Sequence, residues 1–297
     1  MLNIKIIYIL ILCLFIHCSK DTDYLFDSDY SMFNSSLNFE GDEDTLDIIT
    51  WNIENYPKDS ATNFFVDEII DSLNVDIIAL QEIKDQASLA NLTESLGNNW
   101  YSYRSGSASS DWQELAFLIN TEQVDITTNP YSILNNYEYE FAYREPLVLE
   151  CSYDNQLLIL INVHYKCCDG SEDRRLAASN LLYDYINNNY STDNVIVLGD
   201  FNDVLTDVEN NVFIAFLSDN NNYSFADYQI ATLSNQNWSY PSWPSHIDHI
   251  LITNELADNI YDTQTILIDY SLNGSLLTYT NYISDHRPVG IKLFFNP

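Results

Sequence analysis

The chain has 297 residues, of which 46% are apolar, enough to build the core of one large α/β domain or two small ones and too many for a disordered protein. Its 44 acidic residues against 11 Lys and Arg leave a formal net charge of −33, which argues against nucleic-acid binding carried by bulk charge. The excess acid fits a solvated surface, and it leaves room for an enzyme with a local basic patch and metal ions.

At the N-terminus, Lys5 precedes the uncharged run Ile6 to Ile16, a length that suits a secretory h-region and is too short to span a bilayer. Residues 1–17 are therefore expected to be a signal peptide. Cys18 follows, with Ser19-Lys20-Asp21-Thr22-Asp23 and a polar stretch to Asp44 behind it. The arrangement resembles a bacterial lipoprotein signal, with His17 standing where that pattern has a small residue. Acylated at Cys18, residues 18–44 would be a flexible tether, since Asp, Ser and Asn are frequent and apolar residues too scattered to pack. The expected location is the bacterial surface or periplasm, or the medium if the protein is simply secreted.

From Thr45 onward there is no linker, low-complexity block or fixed-period repeat, so residues 45–297 read as one domain. Strands are expected at Leu46–Trp51, Asp76–Gln81, Leu115–Ile119, Leu147–Tyr153, Leu157–Tyr165, Asn194–Leu198, Ile247–Thr253, Gln264–Ile268 and Val289–Phe294. Helices fit Ala61–Leu73, Gln86–Leu96 and Asp173–Asn187. Mixed order without strict βαβ alternation favours an α/β sandwich over a barrel. Three cysteines lie beyond the leader. Pairing the strands around Asp154-Asn155 places Cys151 opposite Leu158 and Cys167 past the far end, which rules against a disulfide between them. Free thiols, or a bond confined to Cys167 and Cys168, remain, and no zinc spacing is present.

The run Val195-Ile196-Val197-Leu198 has the composition of a strand covered on both faces and ends in Gly199-Asp200-Phe201-Asn202. Gly199 allows close backbone approach or an unusual turn, and Asp200 and Asn202 would share one side of an extended chain. A hard divalent cation, or an oxygen bound to one, is a common reason to place these two together, and an Asp/Asn turn is the ordinary alternative. Other strand ends repeat the pattern. Asn52 ends the first apolar run, Glu82 the second and His164 a third, while Asp248 and His249 open one late strand and Ser284-Asp285-His286-Arg287-Pro288 precedes another. Each has a plain structural explanation alone; together they collect carboxylates, amides and imidazoles on one rim.

Six blocks in this order resemble the endonuclease/exonuclease/phosphatase superfamily of metal-dependent phosphoesterases. They are Trp51-Asn52-Ile53-Glu54-Asn55, Leu80-Gln81-Glu82-Ile83, Asn162-Val163-His164, Gly199-Asp200-Phe201-Asn202, Ile247-Asp248-His249-Ile250 and Ser284-Asp285-His286-Arg287-Pro288, spread over residues 45–294. The resemblance implies a four-layer α/β sandwich, two packed mixed β-sheets flanked by helices. It implies Glu82 as the principal metal-binding carboxylate, with Asn52 and Asp285 holding the metal or the phosphate. Asp200 and Asn202 would orient the nucleophilic water. His286 held by Asp248, and His164 held by Glu114, would be the acid/base imidazoles. Mg²⁺ or Mn²⁺ is the expected ion, with Ca²⁺ a further candidate, because oxygen ligands with retained water suit these ions better than zinc. The expected reaction is attack by an activated water, with inversion at phosphorus and no covalent intermediate.

Within the superfamily, Arg144 in Phe141-Ala142-Tyr143-Arg144-Glu145-Pro146, Trp112 and Lys84 resemble substrate contacts of the pancreatic-type deoxyribonucleases. Glu54 stands where those nucleases have an arginine, and would repel a DNA phosphate. An exported monomeric nuclease acting on DNA is the leading expectation. A phosphatase or phospholipase C-like enzyme acting on an inositol or lipid headgroup phosphate is the first alternative; no aromatic hairpin is long enough to insert into a membrane, and Trp238 and Trp243 are the aromatics to mutate. A binding lipoprotein that kept the fold and lost catalysis is the second.

Overall fold

Two long apolar runs in parallel and two more beside them dictate the architecture. A computed structural model describes residues 32–273 and 275–295; the expectations for residues 1–17 and for Cys18 lie outside them. In chain order the strands are β1 (Leu46–Tyr56), β2 (Ile77–Ile83), β3 (Trp100–Arg104), β4 (Glu114–Asn120), β5 (Asp125–Ser132), β6 (Leu147–Tyr153), β7 (Gln156–His164), β8 (Val195–Asp200), β9 (Tyr223–Phe225), β10 (Asp248–Thr253), β11 (Ile260–Thr265) and β12 (Val289–Leu293). The long helices are α1 (Thr62–Leu73), α2 (Gln86–Leu96) and α3 (Glu172–Asn189). The strands form two six-stranded sheets, ordered β11-β12-β1-β2-β4-β3 and β5-β6-β7-β8-β10-β9. They pack face to face with helices outside, the α/β sandwich expected.

The core follows from strand alternation. Ile48, Ala79, Phe117 and Ile291 of the first sheet meet Leu149, Leu160, Ile196 and Ile250 of the second in one buried cluster. The other face of the second sheet, with Val148, Ile161 and Val197, is covered by Ala178, Leu182 and Ile186 of α3 and by Phe213 and Phe216. Gly199 is the close-approach glycine the sequence allowed: at φ +154° a Cβ there would sit 1.9 Å from the Val163 carbonyl oxygen on the neighbouring strand.

The differences from the sequence reading lie at the sheet edges and at the domain's start. β3, β5 and β9 were not anticipated, and the strand expected at Gln264–Ile268 runs instead over Ile260–Thr265. All four are edge strands. An edge strand is only half covered, so it lacks the apolar run that marks a central one, and β5 even carries Pro130. The stretch read as a tether is packed onto the domain from Phe33 onward. Phe33 bridges to Leu272, the Asn34 N–H donates to the Ser271 carbonyl at 2.8 Å, and the Gly41 N–H donates to Leu73 at 2.7 Å. Phe39 is 2% exposed, with the Lys292 ammonium 4.9 Å from its ring centre.

Candidate active site

β1 and β2 are parallel, as are β7 and β8, so Asn52, Glu82, His164 and Asp200 arrive at the same rim. β10 and β12 run against them, so Asp248 and the segment before Val289 start there. The register shifts between Asn52 and Tyr56 on β1 and between Leu80 and Ile83 beside β4 re-aim the chain at the rim. Glu82 sits there at φ +65°, a left-handed conformation costing a non-glycine residue on the order of 1 kcal/mol or more and found preferentially at functional sites.

Asp200 is the centre of the site. Its Oδ2 accepts from Asn52 Nδ2 at 3.0 Å and lies 3.4 Å from His164 Nε2 and 3.9 Å from His286 Nε2. Its Oδ1 accepts from the Asn202 N–H at 2.8 Å, so the Asp/Asn turn and the site are one structure rather than alternatives. Asn202 is at φ +54° and donates its amide to the Tyr165 carbonyl at 3.2 Å. Glu82 accepts from Asn52 Nδ2 at 3.3 Å, from the Asn55 N–H at 2.9 Å and from Gln113 Nε2 at 2.8 Å, and lies 3.9 Å from His164. His286 Nδ1 bonds Asp248 Oδ2 at 2.8 Å, as expected, and Asp285 Oδ1 is 3.9 Å from His286 Nε2 at the more open edge.

Burial and neighbouring charges set the protonation states. Burial opposes the His286 imidazolium, but the carboxylates of Asp248 and Asp200 outweigh it and raise its pKa to about 10. Burial pushes Asp200 up to about 7, His286 pulling it down and Asp248 adding to the rise. His164 is driven well below the ordinary histidine value by burial and by the positive charges of Arg144, His286 and Lys166.

Four sequence expectations are corrected. Glu114 does not hold His164: its carboxylate accepts from Ser105 Oγ at 3.0 Å and Ser110 Oγ at 2.9 Å, and His164 Nδ1 is buried without a hydrogen-bond partner. His164 is accordingly a neutral imidazole rather than an imidazolium. Lys84 does not line the cleft; the chain turns there, its N–H donating to the Tyr56 carbonyl at 2.9 Å. Arg144 lines the cleft but is partly committed, three of its five N–H groups donating to Gln113 Oε1 at 3.1 Å, the His164 carbonyl at 3.4 Å and the Tyr165 carbonyl at 3.2 Å. Glu54 is ion-paired to Lys58, which removes much of its repulsion for a phosphate. Trp112, half exposed, does line the cleft.

Gln113 escaped the sequence reading, and His249, expected on the rim beside Asp248, is turned away from it. Gln113 links Arg144 to Glu82; it lies just before β4 in a turn closed by the Glu114 N–H donating to the Trp112 carbonyl at 2.8 Å, which sends Gln113 and Glu114 to different partners. His249 and His246 point away from the cleft, since alternation along β10 puts Asp248 on the site side and His249 on the other. There His249 Nδ1 meets Asp227 Oδ2 at 2.6 Å and its Nε2 donates to the Asp203 carbonyl at 2.9 Å, while His246 Nε2 meets the same Asp227 oxygen at 3.0 Å. Asp227, His246 and His249 could geometrically hold an ion, but every ring nitrogen already has a hydrogen-bond partner, since His246 Nδ1 accepts from the Ser239 N–H at 3.2 Å.

The rim itself fits a divalent cation better. Among the described residues no Lys or Arg comes within 4.0 Å of Glu82 or Asp200, so the buried Asp200 and the partly buried Glu82 lack the permanent cation that buried acids ordinarily require. Asp200, Asp248 and His286 also form a group able to hold an ion. These groups open onto a cleft of about 790 Å³, whose walls include Trp112, Tyr143, Lys166, Arg174 and Trp243.

A two-sheet α/β sandwich with carboxylates and imidazoles gathered at one rim defines a class, the hydrolases of phosphoester bonds. Residues 49–286 match the model of the Endonuclease/Exonuclease/phosphatase family, and the chain belongs to that family. Comparison with curated proteins finds no match. Among solved structures, TDP2 of D. rerio complexed with a single-strand DNA product superposes with a TM-score of 0.67 at 15% identity, over 85% of this chain and 100% of that one. The human Nocturnin catalytic domain with bound sulfate gives 0.62 at 17% identity, over 86% and 96%. A mannosyl-6-phosphatase of Bacteroides thetaiotaomicron gives 0.61 at 16% identity, over 84% and 100%. At these identities the likeness is one of fold.

Proposed function

We propose that this protein is an exported, metal-dependent phosphoester hydrolase acting on a compact phosphorylated substrate. The observation that carries the reading is the convergence on Asp200: an amide from Asn52 at 3.0 Å, two imidazoles at 3.4 and 3.9 Å, and Glu82 bonded to that same amide. Glu82, Asn52 and Asp285 would hold Mg²⁺ or Mn²⁺, which when bound neutralises charge building up on the phosphoryl oxygens. His286, protonated at neutral pH, offers its Nε2–H to a phosphoryl oxygen or the leaving group. Asp200, whose pKa burial raises, takes the proton of the attacking water. Asp248 holds the His286 ring through the bond to its Nδ1.

A compact substrate is favoured because Lys84 is off the cleft, Arg144 gives three of its five N–H groups to the protein, and a net charge of −33 opposes a long polyanion. A nucleic-acid strand is the second reading, supported by Trp112 on the cleft wall and by the DNA-bound TDP2 neighbour. Export and anchoring through Cys18 belong to the same proposal; among the described residues no helix is long and apolar enough to cross a membrane. The test is a substrate panel of sugar phosphates, inositol phosphates, bis(p-nitrophenyl) phosphate and single-stranded DNA, with Mg²⁺, with chelator, and with His286→Ala. Turnover of a small phosphoester is expected, abolished by chelator and lowered about 10²–10⁴-fold by the substitution. Turnover that survives both would overturn the reading, and turnover of DNA alone would install the second.

A further inference from the structure

The wall of the cleft carries two thiols that the proposed hydrolysis does not use. Cys167 and Cys168 follow β7 three and four residues after His164, and both line the same cleft as His164 and Asp200. Adjacent side chains in an extended strand point to opposite sides. Here they do not, because Cys168 takes φ +78°, a left-handed conformation uncommon for a residue with a Cβ, and the turn brings the two Sγ atoms to 2.6 Å. Neither is bonded, and Cys168 is exposed. The Lys166 ammonium lies 3.2 Å from Cys167 Sγ and has no carboxylate within 4.0 Å among the described residues. Arg144 adds positive charge from the other side. The remaining thiol in the domain is built oppositely: Cys151 is fully buried between the sheets, and burial pushes it up to about 12.

From this geometry we propose that Cys167 and Cys168 are a reactive vicinal dithiol, a modification site in the active cleft that exchanges with low-molecular-weight disulfides. The Cys167 thiolate, its proton released to solvent and its charge balanced by Lys166, attacks one sulfur of the disulfide RSSR, forms a mixed disulfide and expels one RS⁻. Cys168 then attacks the Cys167 sulfur as its proton passes to solvent, forming the Cys167–Cys168 bond and expelling the second RS⁻, and the two RS⁻ take up protons from solvent to become thiols. Two cysteines are oxidised by two electrons and one disulfide is reduced to two thiols, so the step needs no other reactant. Burial works against the Cys167 thiolate, but the Cys168 hydrogen bond and Lys166 outweigh it and hold the group below its ordinary value, as a nucleophilic thiol requires.

The consequence for the cleft runs through Arg175. Its Nη1 donates to the Lys166 carbonyl at 2.9 Å and the Cys168 carbonyl at 3.1 Å, while its Nε donates to Asp203 Oδ2 at 2.7 Å. Arg175 therefore ties the Lys166–Cys168 backbone to the loop carrying Asp200 and Asn202.

The experiment treats the full chain at pH 7 with glutathione disulfide and maps the cysteine-containing peptides by mass. The expected product is loss of about 2 Da confined to the Cys167–Cys168 peptide, reversed by dithiothreitol, with Cys151 untouched. Cys168→Ser should stop at a stable glutathione adduct on Cys167, and Lys166→Gln should slow adduct formation about tenfold through loss of the thiolate. Failure of the peptide to lose mass in excess disulfide, reaction at Cys151 at an equal rate, or an unchanged rate in Lys166→Gln would each overturn the proposal. None of these readouts depends on phosphoester turnover.

Discussion

At the scale of single residues, the site is decided by which neighbour of a pair faces the cleft. Gln113 does and Glu114 does not, and the difference can be measured. Removing the Gln113 amide leaves Glu82 Oε2 with one fewer donor, so Gln113→Ala should raise the Mg²⁺ concentration giving half-maximal activity about 10–100-fold, the usual cost of losing an outer-shell partner. Turnover at saturating Mg²⁺ should change little, and activity titrations against the metal check both. Glu114→Ala deletes the acceptor that two serine hydroxyls share. It should cost about 1–3 kcal/mol of stability in urea melts while leaving the pH–rate profile in place. A shifted profile with unchanged stability would restore Glu114 as the partner of His164.

At the scale of elements, β10 performs two tasks on its two faces. Asp248 faces the cleft, and His249 faces a sealed set of partners beneath the Asp200–Asp203 loop. His249 donates from both ring nitrogens, to Asp227 and to the Asp203 carbonyl, so the arrangement calls for an imidazolium against a carboxylate. Burial opposes that charge, but Asp227 and the Asp203 carbonyl raise the pKa of His249, while the two histidines pull Asp227 below the usual carboxylate range against its own burial. The sign follows: a raised histidine contributes stability that is complete below its unfolded value of about 6.5 and is lost as pH rises through the folded value. His249→Asn should therefore destabilise most at pH 6, by about 3–5 kcal/mol, the cost of breaking a buried ion pair. The gap to the wild type should narrow as pH rises above 7, and urea midpoints across that range test it. A gap that widened with pH would reject the charge assignment.

At the scale of the whole molecule, the acidic surface and the N-terminal segment matter most. Phe39 is buried against β12, where Gly290 leaves room for its ring: a Cβ there would come within 2.9 Å of it. Phe39→Ala should cost about 3–5 kcal/mol, the usual range for a buried aromatic, measured as a lowered melting temperature. A tether would show no change. The packed part of the chain thus begins near residue 33.

Much of the fold was legible in the sequence because central strands announce themselves: β1, β2, β7 and β8 are apolar on both faces, and their ends carry the polar residues of the site. Helices α1 and α2 were legible for a similar reason, each presenting a buried stripe, with Asp85 capping α2 through the N–H groups of Ala87 and Ser88. The pairing of His286 with Asp248 was legible because a family pattern links positions that composition alone cannot. The edge strands were not, since half-covered backbone needs no apolar run, nor was the packing of Phe39, whose partner lies some 250 residues away in sequence. Local pattern determined which residues reach the rim. Only the tertiary structure decided which face each presents there: a one-residue step along β10 turned His249 from the cleft into the interior, and the turn before β4 sent Gln113 toward Glu82 and Glu114 toward the serines.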